Sequence, residues 1–467
     1  MPRLAAVGVV ALALAGGALA DHLVGRGGVA SAPVASLAAD AVPPPEASSS
    51  AWFCTGGTSA SGGATATVTM TNTTDRPVRG RLVAYPGGVP LQVTVPARGE
   101  LSVEPAGMVR ADRVAAAVLL QGGGVAVTQT VSGPLGWSVA PCASSASPRW
   151  YFAHGSTAAG SSLELSLFNP TATDAVVDVS LFTSTEGTVA PPAYQGLDVP
   201  PGSLATLHLA DHVQNDPAVA ASVTALTGAL VASELQQVGQ PPHAGLALSL
   251  GAPSTAVRWS FAQSTDVTGG VVAYHVFNPT AVPAAVTMAI GLQQASAEPL
   301  PVAVPAGAAV TIVAEQQTRI PMDTPYAVTF RSAAGVGIVV DRQVEAPAGA
   351  PAPAVGHTPA VPDGARAWLV PSTPSAGSPW SLAIADLAGS PVRVTVRTLS
   401  GDPVAGFTRR TVAPEEPLFV PAPVPAPWGT LPLVVRADGP VAVEFDAVPA
   451  GAPGVVVVPS LPLAAAS

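Results

Sequence analysis

The chain has 467 residues and a formal net charge of −10, and its 46 Gly and 51 Pro are near twice the usual combined share. That much Gly and Pro excludes a helical bundle, while 48% hydrophobic against 10% charged residues excludes the signature of disorder. All 19 cationic residues are Arg, scattered from Arg3 to Arg436 with no block longer than Arg409-Arg410, so a nucleic-acid footprint is missing.

Met1-Pro2-Arg3, the apolar run Leu4 to Ala20 and the small-x-small site Ala18-Leu19-Ala20 read as an export signal over residues 1–21. The run is at the lower edge of a bilayer-spanning length, so a cleaved signal and a retained membrane anchor both stay open. The Ala/Pro/Ser tract from Val29 to Ser50 reads as an extended spacer, giving a flexible linker over 22–49. No second long apolar run follows, so membrane contact is expected through the N-terminal segment alone.

Four segments then open alike, at Trp52-Phe53-Cys54, Trp150-Tyr151-Phe152-Ala153-His154-Gly155-Ser156-Thr157, Trp259-Ser260-Phe261 and Trp368-Leu369-Val370. A second landmark follows each: Asn72-Thr73-Thr74, Asn169-Pro170-Thr171, Asn278-Pro279-Thr280 and a degenerate Asp386-Leu387-Ala388. A third is Val95-Pro96, Val199-Pro200, Val304-Pro305 and Val412-Ala413-Pro414. Three landmarks in one order, four times, indicate tandem repetition.

Each repeat reads as strands, because short segments alternate apolar with polar between turn residues. Leu163 to Phe168, Val176 to Phe182, Leu204 to Leu209 and a hairpin from Ala221 to Val238 show the pattern in the second repeat. Late apolar stretches at Trp137 to Pro141, Leu246 to Leu250, Ala352 to Val355 and Val455 to Pro459 read as closing strands. About seven strands in about a hundred residues is the size of an immunoglobulin-like sandwich. The expected fold is therefore all-β: four tandem immunoglobulin-like β-sandwiches over 50–147, 148–255, 256–364 and 365–467, as a rod or a compact cluster. Short Pro-rich hinges are expected near 144–148, 252–257 and 346–365.

The only cysteines are Cys54, in the first opening strand, and Cys142, just after the first closing strand. An exported address favours a disulfide between them, the competing reading being two buried thiols. The corresponding residues Phe152, Phe261 and Val370 suggest that this position faces a core. The recurring Trp52, Trp150, Trp259 and Trp368 are assigned to that core rather than to sugar stacking, since one position used four times does one structural job. Trp137, Trp380, Trp428, Tyr85, Tyr194 and Tyr274 do not recur and are freer to meet a partner.

Chemistry is weakly signalled. His208 and His212 with Asp211 have a zinc-like spacing, but on a strand their rings need not converge, so no metal ligand is assigned. His154, Ser156 and Asp174 lack a nucleophile elbow, so no catalytic residue is assigned. Gly335-Val336-Gly337 reads as a turn and not a phosphate loop, so no cofactor is expected. Glu164, Asp178 and Glu234 occupy the polar phase of alternating strands and are expected on solvated faces.

The motif at Trp150 to Thr157, with the Asn-Pro-Thr and Val-Pro-x-Gly turns that follow, resembles the repeats of an uncharacterised family of exported actinobacterial proteins. Those repeats open Trp-Tyr-Phe-Ala-Glu-Gly-Ser-Thr. The first segment departs from this at Cys54, and the fourth loses the Asn and the Gly-Ser. The resemblance implies an envelope location and brings no site. The expected function is a non-catalytic, extracytoplasmic structural or interaction protein of the cell envelope, with an envelope protein or polysaccharide as partner. A wall-polysaccharide-binding module is the alternative, and would present two exposed aromatics on one face; a hydrolase comes third.

Overall fold

Alternating segments cut by Gly and Pro turns favour strands over helices, and the chain folds accordingly. A computed structural model describes residues 40–56, 64–239, 244–293, 295–347, 355–373, 380–414, 416–420, 432–447 and 456–464. The expected signal or anchor, Trp428, and the Trp380 side chain lie outside the described residues.

The first unit runs β1 (Ser50–Cys54), β2 (Thr65–Asn72), β3 (Val78–Tyr85), β4 (Val89–Val95), β5 (Glu100–Val103), β6 (Ala115–Leu120), β7 (Val125–Gly133) and β8 (Gly136–Pro141). One sheet is ordered β1-β6-β3-β4 and the other β5-β2-β7-β8, with Trp52, Met70, Leu82, Val118 and Val127 in the core between them.

The second unit comprises β9 (Arg149–Phe152), β10 (Ser161–Phe168), β11 (Ala175–Thr183), β12 (Gly187–Val189), β13 (Leu197–Val199), β14 (Leu204–His208), β15 (Val219–Thr227), β16 (Val231–Val238) and β17 (Gly245–Leu250). The third comprises β18 (Arg258–Thr265), β19 (Val271–Asn278), β20 (Ala284–Leu292), β21 (Ala295–Val304), β22 (Ala308–Val313), β23 (Pro325–Ser332), β24 (Val339–Glu345) and β25 (Val355–Pro359). Both repeat the first unit's strand order, as β12-β11-β15-β9 with β14-β10-β16-β17, and as β18-β23-β20-β21 with β22-β19-β24-β25.

The fourth holds β26 (Ala365–Val370), β27 (Trp380–Asp386), β28 (Val392–Thr398), β29 (Arg410–Val412), β30 (Leu418–Val420), β31 (Leu433–Ala447), β32 (Val456–Pro459) and β33 (Leu461–Pro462). Here β31 does the work of two strands, pairing with β26 and β28 early and with β27 and β32 late, so the layers merge into one eight-stranded sheet.

The opening strand thus pairs with the sixth and the seventh with the second, whereas an immunoglobulin sandwich pairs its first strand with its second. The expected hairpin from Ala221 to Val238 is instead an arch, because β15 pairs with β11 and β9 while β16 pairs with β10 and β17. Gly228, at φ 72°, carries the chain between the sheets. The third closing strand is β25, beginning at Val355 where the expected stretch ended.

The recurring landmarks have physical causes. All four repeat tryptophans are buried, at 0–2% exposure, and three donate the indole N–H to a backbone carbonyl across the core: Trp150 to Leu230 at 2.8 Å, Trp259 to Ile338 at 2.7 Å and Trp368 to Val441 at 3.0 Å. The buried Trp52 N–H has no partner among the described residues. Each Asn ties its own turn to the Val-Pro turn. Asn278 Nδ2 donates to the carbonyls of Val282, Val304 and Pro305, while its Oδ1 accepts from Thr280. Asn72 makes the corresponding bonds, and Asn169 makes those to Thr173, Val199 and Thr171.

The units close on one another. Strand β17 packs against β8 and β25, and β32 also packs against β8 and β25, so the four closing strands surround a common centre in a ring. The first two segments expected as hinges are strapped at both ends: Ala143 pairs with Phe53 and Ser147 with Leu230, then Ala252 pairs with Tyr151 and Ala256 with Ile338; the third, 346–365, contains β25 and lies partly outside the described residues. The linker expected over 22–49 also ends early. Val42, 1% exposed, pairs with Leu463 of the fourth unit, and Pro43 accepts a bond from Gly124. Cys54 and Cys142 are joined by a disulfide inside the first core.

Candidate functional site: the polar seam between units

Packing both faces of the second-strand sheets has a cost, since the polar phase of an alternating strand is forced out of water unless it finds partners. Glu164 and Glu234, expected on solvated faces, are 8% and 1% exposed because neighbouring units cover them. Asp178 is half-buried and accepts from the Gly196 amide at 2.7 Å.

The seam is built from one recurring contact. Three or four residues after Trp52, Trp150 and Trp259, a polar side chain on β16, β24 or β31 of the next unit meets the chain. Thr55 meets Ser233 hydroxyl to hydroxyl at 2.5 Å. Ala153 donates its amide to Asp341 Oδ2 at 2.9 Å, with the His154 amide also on that carboxylate. Gln263 donates its amide to Glu444 Oε2 at 3.1 Å, joined by the Ala262 amide. Glu444 is further paired with Arg342, which also donates to the Gln263 carbonyl and to Ser264 Oγ at 2.8 Å. Burial pulls the Glu444 carboxyl upward, and the Arg342 guanidinium opposes that shift.

Between the second and third units lie three buried imidazoles. The His154 ring stacks on His275 with centroids 3.6 Å apart and planes 10° from parallel, and His357 tilts against His154 at 5.0 Å. His275 Nδ1 lies 3.0 Å from Thr311 Oγ1 and Nε2 lies 3.2 Å from Gln343 Oε1. A neutral ring satisfies both, donating from Nε2 and accepting at Nδ1. Burial, with His357 adding to it, drives His275 down to about 3; burial alone drives His357 to about 4. His154 is held well below the usual imidazole range by burial first and then by its two neighbours. Glu234 Oε1 lies 4.0 Å from His357 Nδ1. Burial and the nearby Asp341 push Glu234 well up, and burial lifts Asp341 to about 6 against the two amide bonds it accepts. Asp341 is hydrogen-bonded across the unit boundary, His154 meets His275 and His357 ring to ring, and His275 is bonded within its own unit, so these neutral imidazoles and reluctant carboxyls make a packed structural cluster.

The other sequence candidates do not converge. His208 faces Glu164 at 3.3 Å, which also binds Arg113 at 2.8 Å, while His212 packs edge-on to Tyr194 at 4.6 Å. Ser156 donates its amide to Gln236 Oε1, and Asp174 stands exposed whereas His154 is buried. Gly335 follows Ala334 in a tight turn with φ of 73° and 53°. Tyr194 and Tyr274, expected as freer aromatics, are buried at 6% and 0%. Tyr194 donates to the His208 carbonyl, Tyr274 to Ser264, and Tyr85 lies against Phe168 with centroids 5.2 Å apart. Trp137 packs against the core of the fourth unit. The histidine cluster escaped sequence reading because His154, His275 and His357 are 121 and 82 positions apart, and only the packing of the third unit on the second brings them together.

A family of unknown function, DUF5719, matches residues 114–245, which runs from the last third of the first unit to the closing strand of the second. No curated protein matches the sequence. Among solved structures, Thermotoga maritima 1070 is similar over 23% of this chain and 93% of its own, at 14% identity and TM-score 0.21. An Anabaena sensory rhodopsin transducer is similar over 19% and 95%, at 22% identity and TM-score 0.16. A tetra-tandem repeat from the extending region of a large adhesion protein is similar over 85% and 94%, at 14% identity and TM-score 0.10. These TM-scores are low, and the likeness transfers no function.

Proposed function

We propose that this protein is a non-catalytic, extracytoplasmic structural or interaction module of the bacterial cell envelope, built by fourfold repetition of one sandwich and held by its N-terminal segment or released from it. The observation that carries this reading is the use of the buried acids: Asp341 and Glu444 are each bonded to backbone amides of the preceding unit, so the most chemically distinctive side chains serve assembly. A ring fastened this way presents its loops and sheet edges in fixed relation, which suits a scaffold. Polysaccharide binding finds less support, because each described aromatic side chain is buried or half-buried. The Cys54–Cys142 disulfide supports an oxidising address.

Thiol trapping in intact cells of the source organism, followed by fractionation and cross-linking, tests the reading. The expected result is an oxidised protein in the envelope fraction, cross-linked to an envelope component. Recovery from the cytosol with both cysteines alkylated would overturn it, as would hydrolysis of wall polymers by the purified chain.

A further inference from the structure

The junctions of the ring are not equivalent, and one of them is hollow. In each unit the repeat tryptophan faces a sixth-strand residue that in turn faces a third-strand residue: Trp52–Val118–Leu82, Trp150–Val223–Val179, Trp259–Phe330–Met288 and Trp368–Val435–Val396. Three residues further along the third strand, the register places Tyr85, Phe182, Gly291 and Leu399 at one position. Tyr85 packs on Phe168 of the next unit with centroids 5.2 Å apart, and Phe182 on Phe277 at 4.7 Å. Phe168 and Phe277 each precede an Asn landmark, and the residue preceding Asp386 is Ala385. The junction between the third and fourth units has therefore lost both rings, to Gly291 and Ala385. A cavity of about 250 Å³ lies there, lined by both.

Its wall sets two guanidinium groups side by side. Arg258 and Arg331 are direct cross-strand partners on β18 and β23, an arrangement that is unfavourable for like charges. Both line the cavity. Arg258 Nη1 donates to the Leu387 carbonyl at 3.0 Å, but its Nε is buried with no partner among the described residues. Burial first, then the Arg331 charge, pull the Arg258 pKa down; Asp363 and Asp386 act against this. Asp386 and Glu416 also contribute to the lining, which disfavours a multiply charged anion. The apolar part of the wall includes Ile290 and Leu387.

We propose that this cavity binds a small organic anion, a monocarboxylate with a compact apolar body, its carboxylate on Arg258 and Arg331 and its body in the space left by Gly291 and Ala385. An Arg pair suits a carboxylate because guanidinium N–H groups match its two oxygens. The ring holds the cavity open between two sheets, so binding requires little rearrangement.

Calorimetric titration of the purified full chain with benzoate tests this, with benzylamine as the cationic isostere. Benzoate is expected to bind saturably and benzylamine not at all. Arg331→Ala, at an exposed position, is expected to weaken benzoate binding about tenfold. Gly291→Phe restores the ring found at the first two junctions and is expected to abolish binding without lowering the unfolding temperature. Equal binding of the two probes, no binding of benzoate, or unchanged benzoate affinity in Arg331→Ala would each overturn the assignment. The Arg331→Ala result decides the matter even if Gly291→Phe does not fold.

Discussion

His154 and His275, from different units and 121 positions apart in the chain, stack ring on ring with centroids 3.6 Å apart. Two imidazoles in that geometry are compatible only while neither carries charge, and both are buried. The junction between the second and third units is consequently a neutral-pH structure.

The sign of the pH response follows. An unfolded histidine takes its proton below about pH 6.5, whereas folded His275 does so near 3, so its contribution to stability is lost as pH falls through that window. Asp341, lifted to about 6, acts in the opposite sense, with the folded state taking up its proton first as pH falls toward 3.8. Comparison with His275→Gln cancels the Asp341 contribution. The stability advantage of the parent over this variant is expected to shrink by about 2 kcal/mol between pH 7 and pH 5, measured by urea unfolding. A pH-independent difference would show that His275 is not held neutral.

Glu444 fastens the third and fourth units, and its removal strands Arg342, which is 1% exposed. Glu444→Ala is expected to cost about 3 to 5 kcal/mol, whereas the paired change Arg342→Met with Glu444→Leu costs less than the single one. A double-mutant cycle from denaturant curves measures the coupling.

Asn278→Asp converts the third unit's landmark to that of the fourth. A carboxylate cannot donate to the carbonyls of Val282, Val304 and Pro305, so a loss of about 2 kcal/mol is expected. Asn278→Ala, which also gives up the bonds from Thr280, should lose at least as much.

Val42 adds a second tie between the first and fourth units beside the packing of β32 on β8. A fragment of residues 50–467 lacks it and is expected to unfold with about 2 kcal/mol less stability than a fragment of residues 40–467, by thermal or urea denaturation. Equal stability would mean that the pairing of Val42 with Leu463 contributes nothing to the ring.

The all-β architecture was legible in the chain itself, since period-two alternation, turn residues and the Trp, Asn and Val-Pro landmarks are local signals written into each unit. The tryptophans' burial was legible for the same reason, because one side chain kept at one register position faces one core. Strand partners, the arch at Gly228 and the ring were not legible, because antiparallel order between distant strands leaves no trace in the alternation of either. The seam followed from that gap. Glu234 reads as solvent-facing until another unit covers it, and whether a polar phase meets water or a neighbour is settled by which sheets come to lie against each other. Gly291 likewise carries no signal of its own in the sequence. Only the stacking of the third unit on the fourth turns its missing ring into a cavity.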